Sequence, residues 1–321
     1  MDEINSANLH EENMILMQDA FANESRYTAS WFQQFRAVFW RSWISILRDV
    51  FLFRVRVAQT MIVGVILGLI YLQQDYNQTG VMNINGAMFL FITNMSFTSM
   101  FAVVNTFPIE VAIFLREYGS GLYRVDIYYI CKSLAELPSF ILLPVLFSAV
   151  VYWMVGLYSS AEAFLICTGY LILVALTAMS FGYLISTLTK SVNVALAIAP
   201  PILIPFMLFG GFFLNNSSVP DYFIWLEYIS WFKYANEMIS VNQWKRVGKI
   251  DCPIPSNSSM PINGTDPNSG CLFPDGASVL QYLNFSDDHF VKDISWLVGL
   301  LVAFRLLSFL LLLFRARRSS A

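Results

Sequence analysis

Six long apolar stretches, Val57–Leu72, Ala87–Phe107, Leu137–Leu157, Ala163–Ser186, Val194–Leu214 and Ile294–Phe314, alternate with polar segments along the chain. A helix needs about 20 mostly apolar residues to cross a bilayer core. Each stretch therefore predicts a transmembrane helix, the first being the shortest and borrowing from its flanks. A soluble core of 321 residues would hide one such helix but hardly six. The pattern predicts an all-α polytopic membrane protein.

Two further segments are helical in period without qualifying as spans. Over 30–56, Phe32, Phe35, Phe39, Trp43 and Ile46 fall within one face of about 80°, with Gln34, Arg41, Ser45 and Arg48 opposite. Trp and Arg directly before a span predict an amphipathic helix lying in the cytosolic interface. The stretch "DYFIWLEYISWFKYANEMISVNQW" (221–244) carries Glu227, Lys233 and Glu237, each costly at bilayer depth. It predicts one or two helices dipping into the outer leaflet, inside an extracytosolic region at 215–293. The expected organisation is a polar linker at 1–29, the connecting helix at 30–56 and a transmembrane domain at 57–321.

Composition agrees: 57% of residues are hydrophobic and only 13% charged, too few charges for an ordinary soluble surface. The placement of Arg and Lys adds orientation. Arg26, Arg36, Arg41, Arg48, Arg54 and Arg56 precede the first span, and Arg315, Arg317 and Arg318 follow the last. The short segments 73–86 and 158–162 have no Lys or Arg, so the positive-inside rule predicts both termini in the cytosol. The first 30 residues are polar and acidic and show no cleavable signal. The net charge of −3 says nothing about partners, and no nucleic acid is expected among them.

Cys252 and Cys271 bracket the polar loop "CPIPSNSSMPINGTDPNSGC", on the side expected to be extracytosolic. An oxidising compartment and that loop predict a disulfide. Asn257, Asn263 and Asn284 are clustered N-x-S/T acceptors for glycosylation in the same region. Cys131 and Cys167 fall in or beside spans, as buried thiols commonly do.

Catalytic chemistry is missing. The sequence has no G-x-x-x-x-G-K-[ST] phosphate loop. With only His10 and His289, far apart, neither a histidine metal cluster nor a Ser–His–Asp or Cys–His set is expected. Arg305 lies deep in the last span, where an arginine is either paired for function or snorkels to the interface; both readings stay open. Gly64 and Gly68 form a G-x-x-x-G that permits close helix contact.

The charged stretch "FLREYGSGLYRVDIYYICKSLAELP" (114–138) stands between two apolar spans. It suits docking onto a soluble partner, or is an ordinary solvated loop. Here the sequence resembles the G subfamily of ATP-binding-cassette transporters. This stretch is similar to its coupling segment, and "GVMNINGAMFLFITNMSF" (80–97) and "FGGFFLNNSSVPDYFIWLEYISWFKYANE" (209–237) resemble the White-type members, associated with eye-pigment precursors. The likeness runs from about Trp31 to the C-terminus.

The resemblance implies a type 2 ABC exporter (ABC-2 type) membrane domain. It implies a coupling helix near Tyr118–Asp126, with Arg116, Glu117, Tyr118, Tyr123, Arg124 and Asp126, seated in a groove of a nucleotide-binding domain. It also implies a cargo slot at Thr93, Asn94 and Phe97 with Leu203 and Met207, and a hydrophobic plug at Phe212 and Phe213. Read from the residues alone, helix-to-helix hydrogen bonding and core packing serve equally for these positions. The chain itself would carry no cofactor, ATP and Mg²⁺ belonging to the nucleotide-binding domain in cis or trans. Expected partners are membrane lipid, a second G-subfamily half-transporter as homo- or heterodimer, and small-molecule cargo, aromatic, heterocyclic or lipid-like. The expected location is the plasma membrane or an intracellular granule membrane. In the family the nucleotide-binding domain precedes the membrane domain, and here only the residues before Ser30 correspond to it. A fragment, a truncated product and a motor-less regulatory or receptor-like partner of a complete half-transporter are the alternatives.

Overall fold

The computed structural model describes residues 29–213, 221–252 and 272–320. Cys271, Asn257, Asn263 and nearly all of the expected 1–29 linker lie outside the described residues. Among the described residues ten α-helices form: α1 Trp31–Arg48, α2 Val50–Ile70, α3 Gln78–Gly119, α4 Val125–Val155, α5 Ala161–Leu188, α6 Val192–Leu208, α7 Ile224–Ile229, α8 Trp231–Trp244, α9 Gly276–Leu283 and α10 Phe290–Ser320. Of these, α2 to α5 and α10 are long and apolar enough to cross a membrane, and α6 is apolar but 17 residues long. The protein is a multi-pass membrane protein. One end of the bundle carries α1, the α3–α4 turn and the end of α10, and is called the basic end below. The other, the loop end, carries α7 to α9.

Three boundaries differ from expectation, each for a local reason. The helix predicted over 30–56 is two helices, because Asp49 leaves helical geometry (φ −83°, ψ 50°) and caps α2, accepting the Leu52 N–H at 3.3 Å. α6 stops at Leu208, six residues early: Phe209 and Gly210 close on the carbonyls of Pro205 and Met207, and Gly211 turns out with φ +79°. α3 is 42 residues long, roughly 63 Å, about twice a bilayer core. Its last turns carry the charged stretch expected as a separate helix.

α5 sits at the centre, between α3 and α10, while α2 packs on α4 and α6 lies on α3 and α5. Gly182 makes the α3–α5 contact close: a Cβ there would lie 2.9 Å from the Met100 carbonyl oxygen. α2 buries only Thr60, Gly64 and Gly68, one line of residues four apart, against Phe147, Val150 and Met154 of α4. The expected G-x-x-x-G contact is thus with α4, and most of α2 is left exposed.

The 221–244 stretch breaks at Ser230 into α7 and α8. α8 is buried at every position except Lys233, wedged against α3, α5 and α10. Its polar groups are satisfied by protein: Trp231 Nε1 donates to Ser96 Oγ at 3.0 Å, Trp244 Nε1 to Asn85 Oδ1 at 2.7 Å, and Asn242 Nδ2 to the Ala163 carbonyl at 2.9 Å. Three charges of the stretch, Glu227, Lys233 and Glu237, are paired as well. Lys233 bonds Glu227 at 2.6 Å, and Glu237 accepts the Ser286 N–H at 3.3 Å and lies 3.1 Å from His289 Nδ1.

Candidate functional site

Five of the expected site residues share the loop-end part of α3 and the turn after α6. Along α3, Thr93, Asn94 and Phe97 are half-exposed, whereas Ile92, Met95 and Ser96 beside them are buried. The same uncovered stripe continues to Phe101 and Asn105, one turn apart each. Thr93 Oγ1 donates to the Phe89 carbonyl at 2.9 Å, and Phe97 leans on Phe101 at 6.0 Å. Asn94 has no hydrogen-bond partner among the described residues.

Phe212 and Phe213 close the loop end of that stripe. Phe212 stacks on Phe89 at 4.8 Å and 14°, and Phe213 meets the same ring edge-on at 5.4 Å. Phe89, Thr93 and Phe97 occupy three successive turns, so the phenylalanine pair sits about 12 Å from Phe97 along α3, toward the loop end. Gly210 allows the approach: a Cβ there would meet Phe232 Cβ at 2.8 Å and Phe89 Cε2 at 3.0 Å. The Asn236 amide holds the Gly210 carbonyl at 3.1 Å.

Leu203 does not join this site. It is fully buried in the protomer's core, because the uncovered side of α6 presents Ile198, Ile202 and Leu208 instead. Met207, one turn on, is half-buried against the same core.

At the basic end, no separate coupling helix exists. Arg116, Glu117 and Tyr118 belong to the last turns of α3, Asp126 opens α4, and a tight turn with Gly121 at φ +72° joins them. Of the six expected coupling residues, Arg116 and Arg124 are exposed, Arg124 bonding Asp126 at 3.0 Å, while Tyr118 and Tyr123 are buried. Arg41 of α1 forks onto Glu117 at 2.8 and 2.9 Å and lies over the Tyr123 ring, whose hydroxyl also donates to Glu117. The hydrogen bonds to Glu117 hold the Arg41 proton more tightly and raise its pKa. With the Arg41 side chain about half-exposed (53%), the pair contributes under about 1 kcal/mol to stability and chiefly sets geometry.

The residues that α1 turns onto the bundle are not those of its aromatic face, the one expected to lie in the interface. Gln34 and Val38 are its buried residues, while Phe32 is 68% exposed. Gln34 accepts the Arg124 N–H at 3.3 Å and donates to the Ala29 carbonyl at 2.8 Å. Trp31 Nε1 donates to Asp126 at 3.1 Å. Hydrophobic periodicity missed Trp31, Gln34 and Arg41, since all three use polar atoms to grip a distant turn.

A buried polar chain runs inward from that turn. Lys132 bonds Glu110 at 2.6 Å and Glu136 at 2.9 Å, and Glu136 accepts from the Tyr183 hydroxyl. Arg305 continues it, over the Tyr183 ring at 4.6 Å and donating to Ser133 at 2.6 Å and Ser180 at 2.9 Å. Arg305 is therefore paired within the bundle. Among the described residues no three His, Cys, Asp or Glu side chains converge as metal ligands would. Asn284 is exposed, in the left-handed conformation (φ 58°) at the end of α9.

Comparison with known proteins accords with this architecture. The family model described as "ABC-2 type transporter" matches residues 33–244. Protein white of Drosophila melanogaster is 48% identical over 298 residues, covering 92% of this chain and 42% of the relative. Protein scarlet of the same organism is 32% identical, with 92% and 43% covered. The broad substrate specificity ATP-binding cassette transporter ABCG2 of Mus musculus is 33% identical over 250 residues, 78% of this chain and 36% of the relative. The chain spans less than half the length of these relatives. It belongs to the ABC-2 type transporter family, as a transporter membrane domain homologous to White, Scarlet and the other G-subfamily proteins.

Proposed function

We propose that this membrane domain moves small flat aromatic or heterocyclic compounds, of the pigment-precursor kind, or lipid-like compounds, through a slot shared by two protomers. The carrying observation is the uncovered stripe of Thr93, Asn94 and Phe97, capped toward the loop end by Phe212 and Phe213. An apolar ring, a hydroxyl and an unpartnered amide in line suit cargo that is planar and carries a few polar atoms. Two copies of α3 facing each other would supply a ring on each side of it. ATP hydrolysis in a nucleotide-binding domain, in cis or in a dimer partner, would drive the movement. The test is uptake of a labelled aromatic substrate into vesicles holding the assembled dimer. Uptake that needs hydrolysable ATP supports the reading, and ATP-independent equilibration contradicts it.

The motor would act on the α3–α4 turn, with the basic end in the cytosol and the loop end outside. Arg116 and Arg124 offer two exposed cations, while the Arg41–Glu117–Tyr123 set ties the turn to α1, so that turn and connecting helix would shift together. Arg124→Glu removes an exposed charge paired only with Asp126 and should change stability little. The expected outcome is ATPase activity that persists while uptake falls. Unchanged coupling would assign the contact elsewhere.

In the loop, we infer a Cys252–Cys271 disulfide and glycans on Asn257, Asn263 or Asn284. The support is that Cys131 and Cys167 are buried free thiols in the helices, and that Asn284 is exposed. Non-reduced peptide mass spectrometry should show the 252–271 link, and a glycosidase should shift the protein's mobility.

A further inference from the structure

A cavity of about 360 Å³ opens between α1, α2, α3 and α4; it shares no residue with the proposed slot and is lined by, among others, Arg56, Glu110, Tyr128 and Lys132. Its polar groups are only partly used. The Tyr128 hydroxyl is buried in the cavity wall with no hydrogen-bond partner. Arg56 makes one side-chain hydrogen bond, to the Ala102 carbonyl at 3.2 Å, and meets no carboxylate among the described residues. Glu110 and Glu136 share the single cation of Lys132, which leaves this trio one negative charge in excess.

The charges are ordered along α3. Ala102, which holds Arg56, and Glu110 lie two turns apart on one face, about 12 Å, with Thr106 between them also on the wall. The free cation is thus deeper in the bundle and the surplus carboxylate nearer the basic end. Leu52 and Phe53 of α2 and Phe140 of α4 add apolar wall. Leu52 is exposed, on the helix whose long face is left open.

We propose that this cavity binds the headgroup of a phospholipid bearing a primary ammonium, a phosphatidylethanolamine, from the leaflet at the basic end. Such a lipid presents phosphate first and ammonium beyond it toward water, the order in which the cavity presents Arg56 and Glu110. The phosphate takes the Arg56 guanidinium, and the Tyr128 hydroxyl finds an acceptor within the cavity. The ammonium neutralises the surplus carboxylate, and the acyl chains leave along Leu52 and Phe53. A phosphatidylglycerol headgroup, whose phosphate would take Arg56 but whose glycerol is neutral, would leave the surplus carboxylate uncompensated.

Native mass spectrometry of the purified, full-length dimer tests this, with dioleoyl phosphatidylethanolamine, phosphatidylcholine and phosphatidylglycerol titrated in turn. The first ethanolamine lipid should be retained several-fold better than either of the others. Arg56→Gln should reduce retention of both zwitterionic lipids to the level of annular lipid, and Arg56→Lys should preserve the preference. Glu110→Gln should bring ethanolamine lipid down to the choline lipid's level and leave the latter unchanged, with thermal melting in detergent confirming each fold. A photoreactive ethanolamine lipid should label peptides around 50–56 and 102–113. No preference in the wild type, a preference for phosphatidylglycerol, or a preference surviving Glu110→Gln would overturn the proposal. So would equal competition by soluble glycerophosphoethanolamine, which has no chains for the α2 wall.

Discussion

Replacing Lys132 with methionine should unfold or grossly destabilise the protein. The lysine side chain is 9% exposed and stands between two carboxylates, Glu110 at 2.6 Å and Glu136 at 2.9 Å, the latter only 13% exposed. Without the ammonium, the Glu136 carboxylate keeps one hydroxyl, from Tyr183, and the Glu110 carboxylate, 36% exposed, loses its cation as well. Breaking a buried ion pair from one side costs about 3–5 kcal/mol, because the partner's charge stays buried and uncompensated. The measurement is thermal melting in detergent, with size-exclusion profiles as a check. The triple variant Lys132→Met, Glu110→Gln, Glu136→Gln removes the stranded charges and should recover much of the loss. A single Lys132→Met variant that melts like wild type would show that the carboxylates are hydrated or protonated, and that the lysine is dispensable.

Phe97→Ala should weaken cargo binding by roughly tenfold or more while the protein still reaches the membrane. If cargo stacks between two copies of Phe97, each ring contact is worth about 0.5–1.5 kcal/mol beyond area burial. Two such contacts together amount to roughly 5- to 150-fold in affinity at about 1.4 kcal/mol per tenfold. Folding should tolerate the change, since Phe97 is half-exposed and makes one tilted ring contact, with Phe101. Phe212→Ala with Phe213→Ala should act differently. Those rings cover Phe89 two turns from Phe97 toward the loop end, so their loss should change the rate of release and leave affinity nearly intact. Concentration-dependent uptake separates the two outcomes through apparent affinity and maximal rate. Wild-type values for both variants at normal surface expression would move the slot off this stripe.

The slot shows how a helical site can be half legible. Thr93, Asn94 and Phe97 lie within two turns of one helix, so their common face follows from period alone. Leu203 and Met207 are also one turn apart, yet Leu203 points into the core. The rotation of α6 is set by its packing on α3 and α5, with three prolines inside it, and no count along the sequence gives that angle. The charged stretch failed in another way. Its residues read as a separate short helix or a solvated loop, whereas α3 continues from Phe107 through Gly119, a tight turn follows, and α4 takes up the rest from Val125.

What the sequence by itself determined is whatever sums over neighbouring residues. Hydropathy over a window marked six spans, five of which are long helices and one of which, α6, is shorter than expected; the Arg-rich flanks marked one end of the bundle, and Gly64 and Gly68 marked the close face of α2. What the tertiary structure decided are pairings between residues far apart in the chain: Arg41 with Glu117 across 76 positions, Arg305 with Ser133 across 172, Trp244 with Asn85 across 159. Polar side chains in a membrane bundle must find partners within the protein, because the hydrocarbon offers none. Which partner each one finds depends on how helices rotate and stack, and that is why Gln34 is buried although its place on α1 reads as solvent-facing, and why α8, with its carboxylate and amides, is sealed inside the bundle.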